Sequence, residues 1–186
     1  SATTGLTYDE NLDHSTNPIY YAVASDQDTT DDITFSLGTD KDEDLLDIDP
    51  DTGEVTLRAD ADYETQSSYT FDVIATDDGD GSLSATQEIT VDINDLNENP
   101  ELQSGSSGTV VENLPTSTAI YTASATDQDT GDSLVFSITT DETDDSDKVA
   151  IDSSTGVVTL IESADFETQS SYTFEVVATD SGTLAD

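Results

Sequence analysis

The sequence has no cysteine, methionine or tryptophan, and only three of its 186 residues are lysine or arginine. Without cysteine the fold cannot depend on disulfide bonds, so each domain must be held by its hydrophobic core and by whatever its acidic groups bind. The apolar runs are also far shorter than the roughly 18 residues that a membrane-spanning helix needs. These absences predict no direct membrane insertion and a fold that depends on packing and on ligands.

Acidic residues dominate the charge, since 43 Asp and Glu against three Lys and Arg give a net charge of −40. Such a polyanion repels phosphate backbones and anionic lipid, which excludes nucleic acid as a partner and favours cations or basic proteins. An acidic chain with 6% aromatic residues is also compatible with disorder. Alternating apolar runs at 70–76 and 88–94 favour folded strands instead.

The chain contains an internal tandem repeat. DYETQSSYTFDVIATD at 62–77 matches DFETQSSYTFEVVATD at 165–180 at 13 of 16 positions, with an offset of 103 residues. ENL at 10–12 recurs at 112–114, and DQD at 26–28 recurs at 127–129. Because this offset equals the size of one small β domain, the sequence predicts two equivalent domains.

Apolar runs of period two, bounded by Gly, Asp, Asn and Ser, predict seven short strands in the first repeat. They lie near 4–9, 18–24, 33–37, 46–49, 54–58, 69–76 and 86–94. Seven short strands without a helix-period segment predict an all-β fold, with two tandem antiparallel β-sandwiches of the immunoglobulin-like, Greek-key type.

The second repeat matches only six of these strands, because the sequence ends at Asp186, six residues after the counterpart of Asp77. We therefore expect the second sandwich to lack its last strand. A missing edge strand leaves a neighbouring backbone unpaired and uncovers inner-face residues such as Val177. This arrangement favours local disorder or a strand borrowed from another chain.

Short motifs recur in the same order in both repeats. The first repeat contains Glu10-Asn11, Asp26-Gln27-Asp28, Ile48 to Val55, Asp62-Tyr63-Glu64 and Ala75-Thr76-Asp77. The second repeat contains Glu112-Asn113, Asp127-Gln128-Asp129, Ile151 to Val158, Asp165-Phe166-Glu167 and Ala178-Thr179-Asp180. The segment from Asp95 to Pro100 joins the two repeats. In order and number these motifs resemble cadherin repeats over essentially the whole chain. The resemblance implies a cadherin-like repeat at 1–94, a calcium-binding linker at 95–100, and a second, C-terminally incomplete repeat at 101–186.

The resemblance also implies a cage for about three Ca²⁺ ions where the linker meets both repeats. Its implied ligands are Glu10, Asp62 and Glu64 of the first repeat, Asp95, the Leu96 carbonyl, Asn97, Glu98 and Asn99 of the linker, and Asp127, Asp129 and Asp180 of the second repeat. The same motifs leave two outer half-sets, Asp26, Asp28 and Asp77 at one end, and Glu112, Asp165 and Glu167 at the other.

The residue types agree with calcium on chemical grounds alone. Ca²⁺ takes six to eight oxygen ligands at about 2.3–2.6 Å, and carboxylates, amides and carbonyls supply them without thiol or imidazole. Eight of the implied ligands are acidic, so they carry −8 against the +6 of three Ca²⁺ ions. Without metal we expect this set of carboxylates to repel itself.

No pattern in the sequence predicts an enzyme. The only histidine, His14, lies in a polar segment without a nucleophile motif, and there is neither a G-x-S-x-G sequence nor a phosphate-binding glycine loop. We expect an extracellular, cell-surface or secreted module in which Ca²⁺ stiffens the junction between neighbouring repeats. Its candidate partners are a cell-surface protein, a matrix protein or a polysaccharide.

Two further interpretations concern the parent protein. The lack of cysteine, the extreme acidity and the ATDQDTGDSL segment suggest a large bacterial surface adhesin. The alternative is a calcium-dependent carbohydrate-binding module of a secreted bacterial protein, because sugars are usually bound by aromatic side chains. The candidate aromatic residues are Tyr20, Tyr21, Tyr69 and Tyr121.

Overall fold

A computed structural model describes residues 3–27, 31–79 and 82–182. The chain divides into two compact units, Ser1–Leu96 (unit 1) and Asn97–Asp186 (unit 2). The described residues form strands and two short 3-10 helices, Asp42–Leu45 and Ser146–Lys148, with no α-helix among them. No described helix is long and apolar enough to cross a membrane. The predicted all-β fold is confirmed.

Unit 1 has a strand at each of the seven predicted positions. They are β1 (Thr3–Asp9), β2 (Tyr20–Tyr21), β3 (Ile33–Leu37), β4 (Leu46–Ile48), β5 (Glu54–Leu57), β6 (Ser68–Asp77) and β7 (Ser84–Asn94). One sheet has the order β1-β7-β6-β3, and the other has the order β2-β5-β4. Two sheets of short strands in one unit agree with the predicted sandwich.

One strand pair of unit 1 departs from the antiparallel expectation. Strands β1 and β7 run parallel, with Leu6 opposite Val91 and Tyr8 opposite Ile93. The other pairs of unit 1 are antiparallel. Parallel pairing is possible here because the rest of the unit connects the two strands, so no hairpin imposes opposite directions.

The core of unit 1 follows the period of two that the sequence predicts. Side chains of β6 alternate between buried and half-buried, and Phe71 is fully buried. It lies opposite Ile89 of β7, which is also fully buried. From the other sheet, the ring of Tyr20 packs edge-on against Phe71 with centroids 6.1 Å apart. Both sheets therefore contribute to one apolar core.

Unit 2 has shorter strands and a smaller core. Its strands are β8 (Glu101–Leu102), β9 (Ala119–Thr122), β10 (Ala125–Thr126), β11 (Val135–Ile138), β12 (Val149–Ile151), β13 (Val157–Leu160) and β14 (Val176–Thr179). They form a three-stranded sheet, β12-β13-β9, and two two-stranded sheets, β11-β14 and β10-β8. Its central buried cluster contains only Val149, Val158 and Leu160.

The prediction of six matching strands in the second repeat is wrong at the first of them. The segment equivalent to β1, residues 105–111, does not form a strand. The equivalent of β6 is also reduced, from ten residues to the four of β14. In unit 1 β7 pairs with both β1 and β6, and no described strand of unit 2 takes that place.

Candidate metal site

Glu10 is the most deeply buried of the predicted ligands. It follows β1 and is 1% exposed. Its Oε2 accepts a hydrogen bond from the Tyr63 backbone N–H at 2.6 Å, and its Oε1 accepts one from the Leu96 N–H at 2.6 Å. These two donors offset the cost of burying a carboxylate and hold it in one orientation.

The Glu-Asn motif has a local structural reason. Asn11 has a φ of 60°, in the left-handed region that Asn tolerates better than most residues. Its N–H donates to the Ala61 carbonyl at 3.0 Å, so the chain turns immediately after Glu10. Asn113 repeats this arrangement with a φ of 60° and a 2.9 Å bond to the Ala164 carbonyl. The turn at the asparagine thus fixes the position of the glutamate that precedes it in each repeat.

Three carboxylates of unit 1 come together. One oxygen from each of Glu10, Glu64 and Asp95 lies within 4.8 Å of the other two. Oxygens on opposite sides of one Ca²⁺ ion lie about 5 Å apart, so this spacing suits a single ion. With an effective dielectric constant near 20, each such pair of like charges costs about 3 kcal/mol without a cation.

Asp62 has a different local role. Its Oδ1 accepts the Thr65 N–H at 3.1 Å and its Oδ2 accepts the Thr65 hydroxyl at 2.8 Å. Asp62 therefore closes the turn that carries Glu64. The cluster of Glu10, Glu64 and Asp95 does not include it.

In unit 2 the linker residues are bonded to the predicted ligands. The Asn97 side-chain amide donates to Asp180 Oδ1 at 3.1 Å. The Glu98 N–H donates to Asp129 Oδ2 at 2.9 Å, and the Asp129 N–H donates to Asp127 Oδ1 at 2.9 Å. Asn99 is exposed. Asp180 and Asp129 are thus bonded directly to the linker, and Asp127 is connected to it through Asp129.

A second carboxylate cluster lies in unit 2. Oxygens of Asp127, Asp129 and Asp132 lie within 4.8 Å of one another. The Oδ2 atom of Asp127 is buried and has no hydrogen-bond partner. A buried acceptor without a donor costs free energy, and a bound cation would satisfy it. The carboxylates present therefore suit a hard cation such as Ca²⁺, which takes oxygen ligands.

Asp132 is a candidate site residue that the sequence prediction missed. The available signal was the spacing D-x-D-x-x-D at 127–132. Gly182 was missed as well, and its lack of a side chain leaves space for the side chains of Asn97 and Asp132. A Cβ atom at Gly182 would overlap the Asn97 side chain and approach Asp132 Oδ2 at 2.6 Å.

The outer half-sets differ from each other. Glu112, Asp165 and Glu167 bring oxygens within 4.8 Å of one another, and Glu112 Oε2 accepts the Phe166 N–H at 2.9 Å. Hydrogen bonds from the Thr168 side chain lower the pKa of Asp165. At the other end, Asp77 Oδ1 accepts the Gly79 N–H at 2.9 Å. Asp28 lies outside the described residues.

A cluster of two aspartates around His14 was not predicted either. Asp13, His14 and Asp60 bring ligand atoms within 4.8 Å of one another. His14 Nδ1 lies 2.7 Å from Asp60 Oδ1, and the His14 N–H donates to the same oxygen at 2.9 Å. Both contacts join the turn after β1 to the segment after β5.

Comparison with known proteins gives consistent similarities. The cadherin domain model matches residues 6–94 and 106–185. Human cadherin EGF LAG seven-pass G-type receptor 2 is 33% identical over 162 residues, covering 86% of this chain and 6% of that protein. The Drosophila melanogaster protocadherin-like wing polarity protein stan is 31% identical over 170 residues, covering 89% of this chain and 5% of that protein.

Solved structures agree with the sequence matches. The crystal structure of mouse cadherin-23 EC22-24 aligns with a TM-score of 0.63 and 26% identity, over 97% of this chain and 58% of that chain. The chain spans 6% or less of the length of the two curated relatives described above.

Proposed function

Since the chain belongs to the cadherin domain family, we propose that it is a calcium-dependent extracellular adhesion and spacer module in which Ca²⁺ stiffens the junction between repeats. Cadherin domains mediate calcium-dependent adhesion in homologous proteins. Its partners in this proposal are the neighbouring repeats of its own chain and the cell-surface or matrix protein that the assembly binds.

The observation that carries the proposal is how the linker is bonded. Leu96 donates its N–H to the buried Glu10 of unit 1, and the next residue, Asn97, donates its side-chain amide to Asp180 of unit 2. Consecutive linker residues are thus bonded to predicted calcium ligands of different repeats. An ion bound by these ligands would reduce the freedom of the backbone between them.

Charge supports the same conclusion. Eight acidic side chains are assigned to the junction, and they cannot all lose water and approach one another without cations. About three Ca²⁺ ions supply +6 and leave the set close to neutral. The proposed ligands are the eleven residues named from the resemblance, with Asp132 added as a twelfth.

The origin of the parent protein stays a prediction from composition. The bacterial interpretation depends on the charge and the absence of cysteine, whereas the relatives described above are animal proteins. An extracellular or cell-surface location agrees with the cadherin relatives.

The carbohydrate-binding alternative gains no support from the aromatic residues. Tyr20 packs on Phe71, and Tyr121 packs on Phe174 with centroids 6.1 Å apart. Tyr69 is buried, which leaves Tyr21, at 57% exposure, as the accessible member of the candidate set. A single exposed ring is a weak platform for a sugar.

Small-angle X-ray scattering of the chain, titrated with Ca²⁺ and compared with EGTA and Mg²⁺, tests the proposal. We expect Ca²⁺ alone to lengthen and stiffen the particle, because Mg²⁺ demands a small octahedral site and loses its water reluctantly. A scattering profile that does not respond to Ca²⁺ would contradict the proposed function.

Two ligand variants sharpen this test. Asp129→Ala and Glu64→Ala should each raise the Ca²⁺ concentration at half-saturation by at least roughly tenfold, since each removes a charged oxygen ligand. The first sandwich should stay folded, because Glu64 is outside its core. Asp51→Ala is the matched control, since it removes one exposed charge that belongs to neither cluster. An equal loss of Ca²⁺ affinity in all three variants would indicate a general effect of net charge and not the removal of specific ligands.

A further inference from the structure

A mixed set of nitrogen and oxygen donors lies in unit 1 and shares no residue with the carboxylate clusters assigned to calcium. It consists of Asp13, His14 and Asp60, which bring one ligand atom each within 4.8 Å of the other two. We call it the His14 cluster, after the only histidine of the sequence. Among the described residues, it is the one group of close ligand atoms that contains an imidazole.

Hydrogen bonds hold the three side chains of the His14 cluster in place. Asp60 Oδ1 lies 2.7 Å from His14 Nδ1 and accepts the His14 backbone N–H at 2.9 Å. Asp13 Oδ1 accepts the Ser15 hydroxyl at 2.6 Å and the Ser15 N–H at 2.9 Å. The bonds from Ser15 lower the pKa of Asp13, and those from His14 lower the pKa of Asp60. Two ionised carboxylates therefore lie beside a ring nitrogen at neutral pH.

The turn that carries Asp13 and His14 is itself anchored to unit 1. The Asp13 carbonyl accepts the backbone N–H groups of Thr16 and Asn17 at 3.2 and 3.1 Å. The Tyr8 hydroxyl, on a side chain that is buried in the core, donates to the Asn17 carbonyl at 3.0 Å. The ligand atoms are thus positioned before an ion arrives, which reduces the entropy that binding costs.

The second repeat shows that the fold does not require this set of side chains. At the repeat offsets of 102 and 103, the counterparts of Asp13, His14 and Asp60 are Pro115, Thr116 and Ser163. In unit 2 the Ser163 hydroxyl donates to the Leu114 carbonyl at 2.8 Å. A neutral hydrogen bond thus joins the same two segments there. Closing the turn therefore does not explain why unit 1 places two carboxylates around an imidazole.

The donor types select the class of ion. Imidazole nitrogen suits Zn²⁺ and other divalent transition metals, which it binds at about 2.0–2.1 Å. Ca²⁺ takes oxygen ligands instead, so the imidazole separates this set from the oxygen-only clusters. A neutral imidazole carries one ring proton, and binding through Nδ1 leaves that proton on Nε2.

We propose that the His14 cluster binds a divalent transition-metal ion such as Zn²⁺, through His14 Nδ1 and one carboxylate oxygen from each of Asp13 and Asp60. Water completes the coordination, and the two carboxylates balance the charge of the ion. The side chains of His14 and Asp60 are 35% and 57% exposed, so the ion enters directly from solvent. The bound ion links the turn after β1 to the segment after β5.

Isothermal titration calorimetry with Zn²⁺ alone, on the whole 186-residue chain in saturating Ca²⁺, tests the site. Saturating Ca²⁺ occupies the oxygen-only clusters, and we expect one further Zn²⁺ to bind per chain. His14→Gln should weaken this binding by at least roughly tenfold, and Asp13→Asn and Asp60→Asn should also weaken it. None of the three side chains belongs to the buried core, so the variants should stay folded.

Asp51→Asn is the matched control for these variants. It removes one exposed carboxylate that lies outside the His14 cluster, and it should leave Zn²⁺ affinity unchanged. The comparison does not depend on the proposed calcium function, because His14 is assigned to no calcium site. If the junction failed to bind Ca²⁺ and took Zn²⁺ instead, that binding would persist in His14→Gln.

The single histidine gives a second readout that is specific to the site. Long-range proton–nitrogen NMR spectra of the imidazole should show the Nδ1 resonance move when Zn²⁺ is added, while Nε2 keeps its proton. Three results would overturn the proposal. They are the absence of Zn²⁺ binding in saturating Ca²⁺, Zn²⁺ binding that His14→Gln leaves unchanged, and ring nitrogen resonances that do not respond to Zn²⁺.

Discussion

At the scale of single residues, the role of a carboxylate in this chain depends on the donors around it. Glu10 and Asp62 are both predicted ligands, yet Glu10 is held by backbone N–H groups of two distant segments, whereas Asp62 is held by Thr65. Asp127 keeps one buried oxygen without any donor. The donors around a carboxylate therefore decide whether distant segments fix it, whether it closes a local turn, or whether it keeps an oxygen without a donor.

Asp145 illustrates a structural carboxylate and gives an acid-stability prediction. A hydrogen bond from Lys148, with others from the Thr173 N–H and Gln169, lowers the pKa of Asp145 to about 2. The unfolded chain has a pKa near 3.9 at this residue, so the ionised form stabilises the fold above about pH 4. That contribution is lost as the pH falls from about 4 to about 2.

The variant Asp145→Asn should therefore lower the free energy of unfolding of unit 2 at neutral pH, with a difference from the parent chain that shrinks as the pH falls to 2. Urea unfolding at a series of pH values measures this difference. Asp147→Asn changes a neighbouring exposed acid and should not reproduce it. A difference that is independent of pH would contradict the assigned pKa.

At the scale of elements, the two units differ most in the strands that pair with β7 in unit 1. In unit 1 it lies between β1 and β6 and is the central connection of the four-stranded sheet. In unit 2, β14 is four residues long and the β1 equivalent forms no strand. The strands that pair with β7 in unit 1 are thus longer than their equivalents in unit 2, where no described strand takes the place of β7.

Phe71 and its counterpart Phe174 test this difference between the two units. Phe71→Ala should lower the free energy of unfolding of unit 1 by about 3–5 kcal/mol, since it leaves a cavity in a closed core. Phe174→Ala should lower that of unit 2 by only about 1–2 kcal/mol, because the ring is already partly exposed. Equilibrium urea unfolding of both variants makes the comparison. Equal losses of unfolding free energy would show that Phe174 is packed as closely in solution as Phe71.

At the scale of the whole molecule, the chain has two separate buried clusters of unequal size. Thirteen buried residues form the cluster of unit 1, whereas three form that of unit 2. Because apolar burial is the main stabilising contribution, the units should differ in stability.

We therefore predict two unfolding transitions in EGTA, with unit 2 unfolding at the lower denaturant concentration. Hydrogen exchange followed by mass spectrometry assigns each transition to its peptides. Added Ca²⁺ should raise the first midpoint, since an ion that binds only the folded state stabilises it. If peptides of both units begin to exchange their amide hydrogens at the same denaturant concentration in EGTA, the prediction is contradicted.

Much of the architecture could be predicted from the sequence because it depends on local order. The alternation of apolar residues in 69–73 and the Gly at 53 and 156, both with positive φ, act over a few neighbouring residues. The repeat offset then extends each assignment to the second copy. Asp127 and Asp129 belong to the D-Q-D motif that recurs in both repeats, and the family resemblance implies their role as ligands.

What the sequence alone determined is the all-β class, the positions of the strands in unit 1, the repeat and the acidic residue types suited to calcium. Tertiary structure alone decided the parallel pairing of β1 with β7, the loss of the β1 equivalent in unit 2, and the three oxygens that each cluster brings together. Glu10 and Leu96 are 86 positions apart, and only folding makes them hydrogen-bond partners. The physical reason is that periodicity and turn chemistry act between neighbours, whereas sheet partners and metal ligands come from distant segments that the core brings into contact.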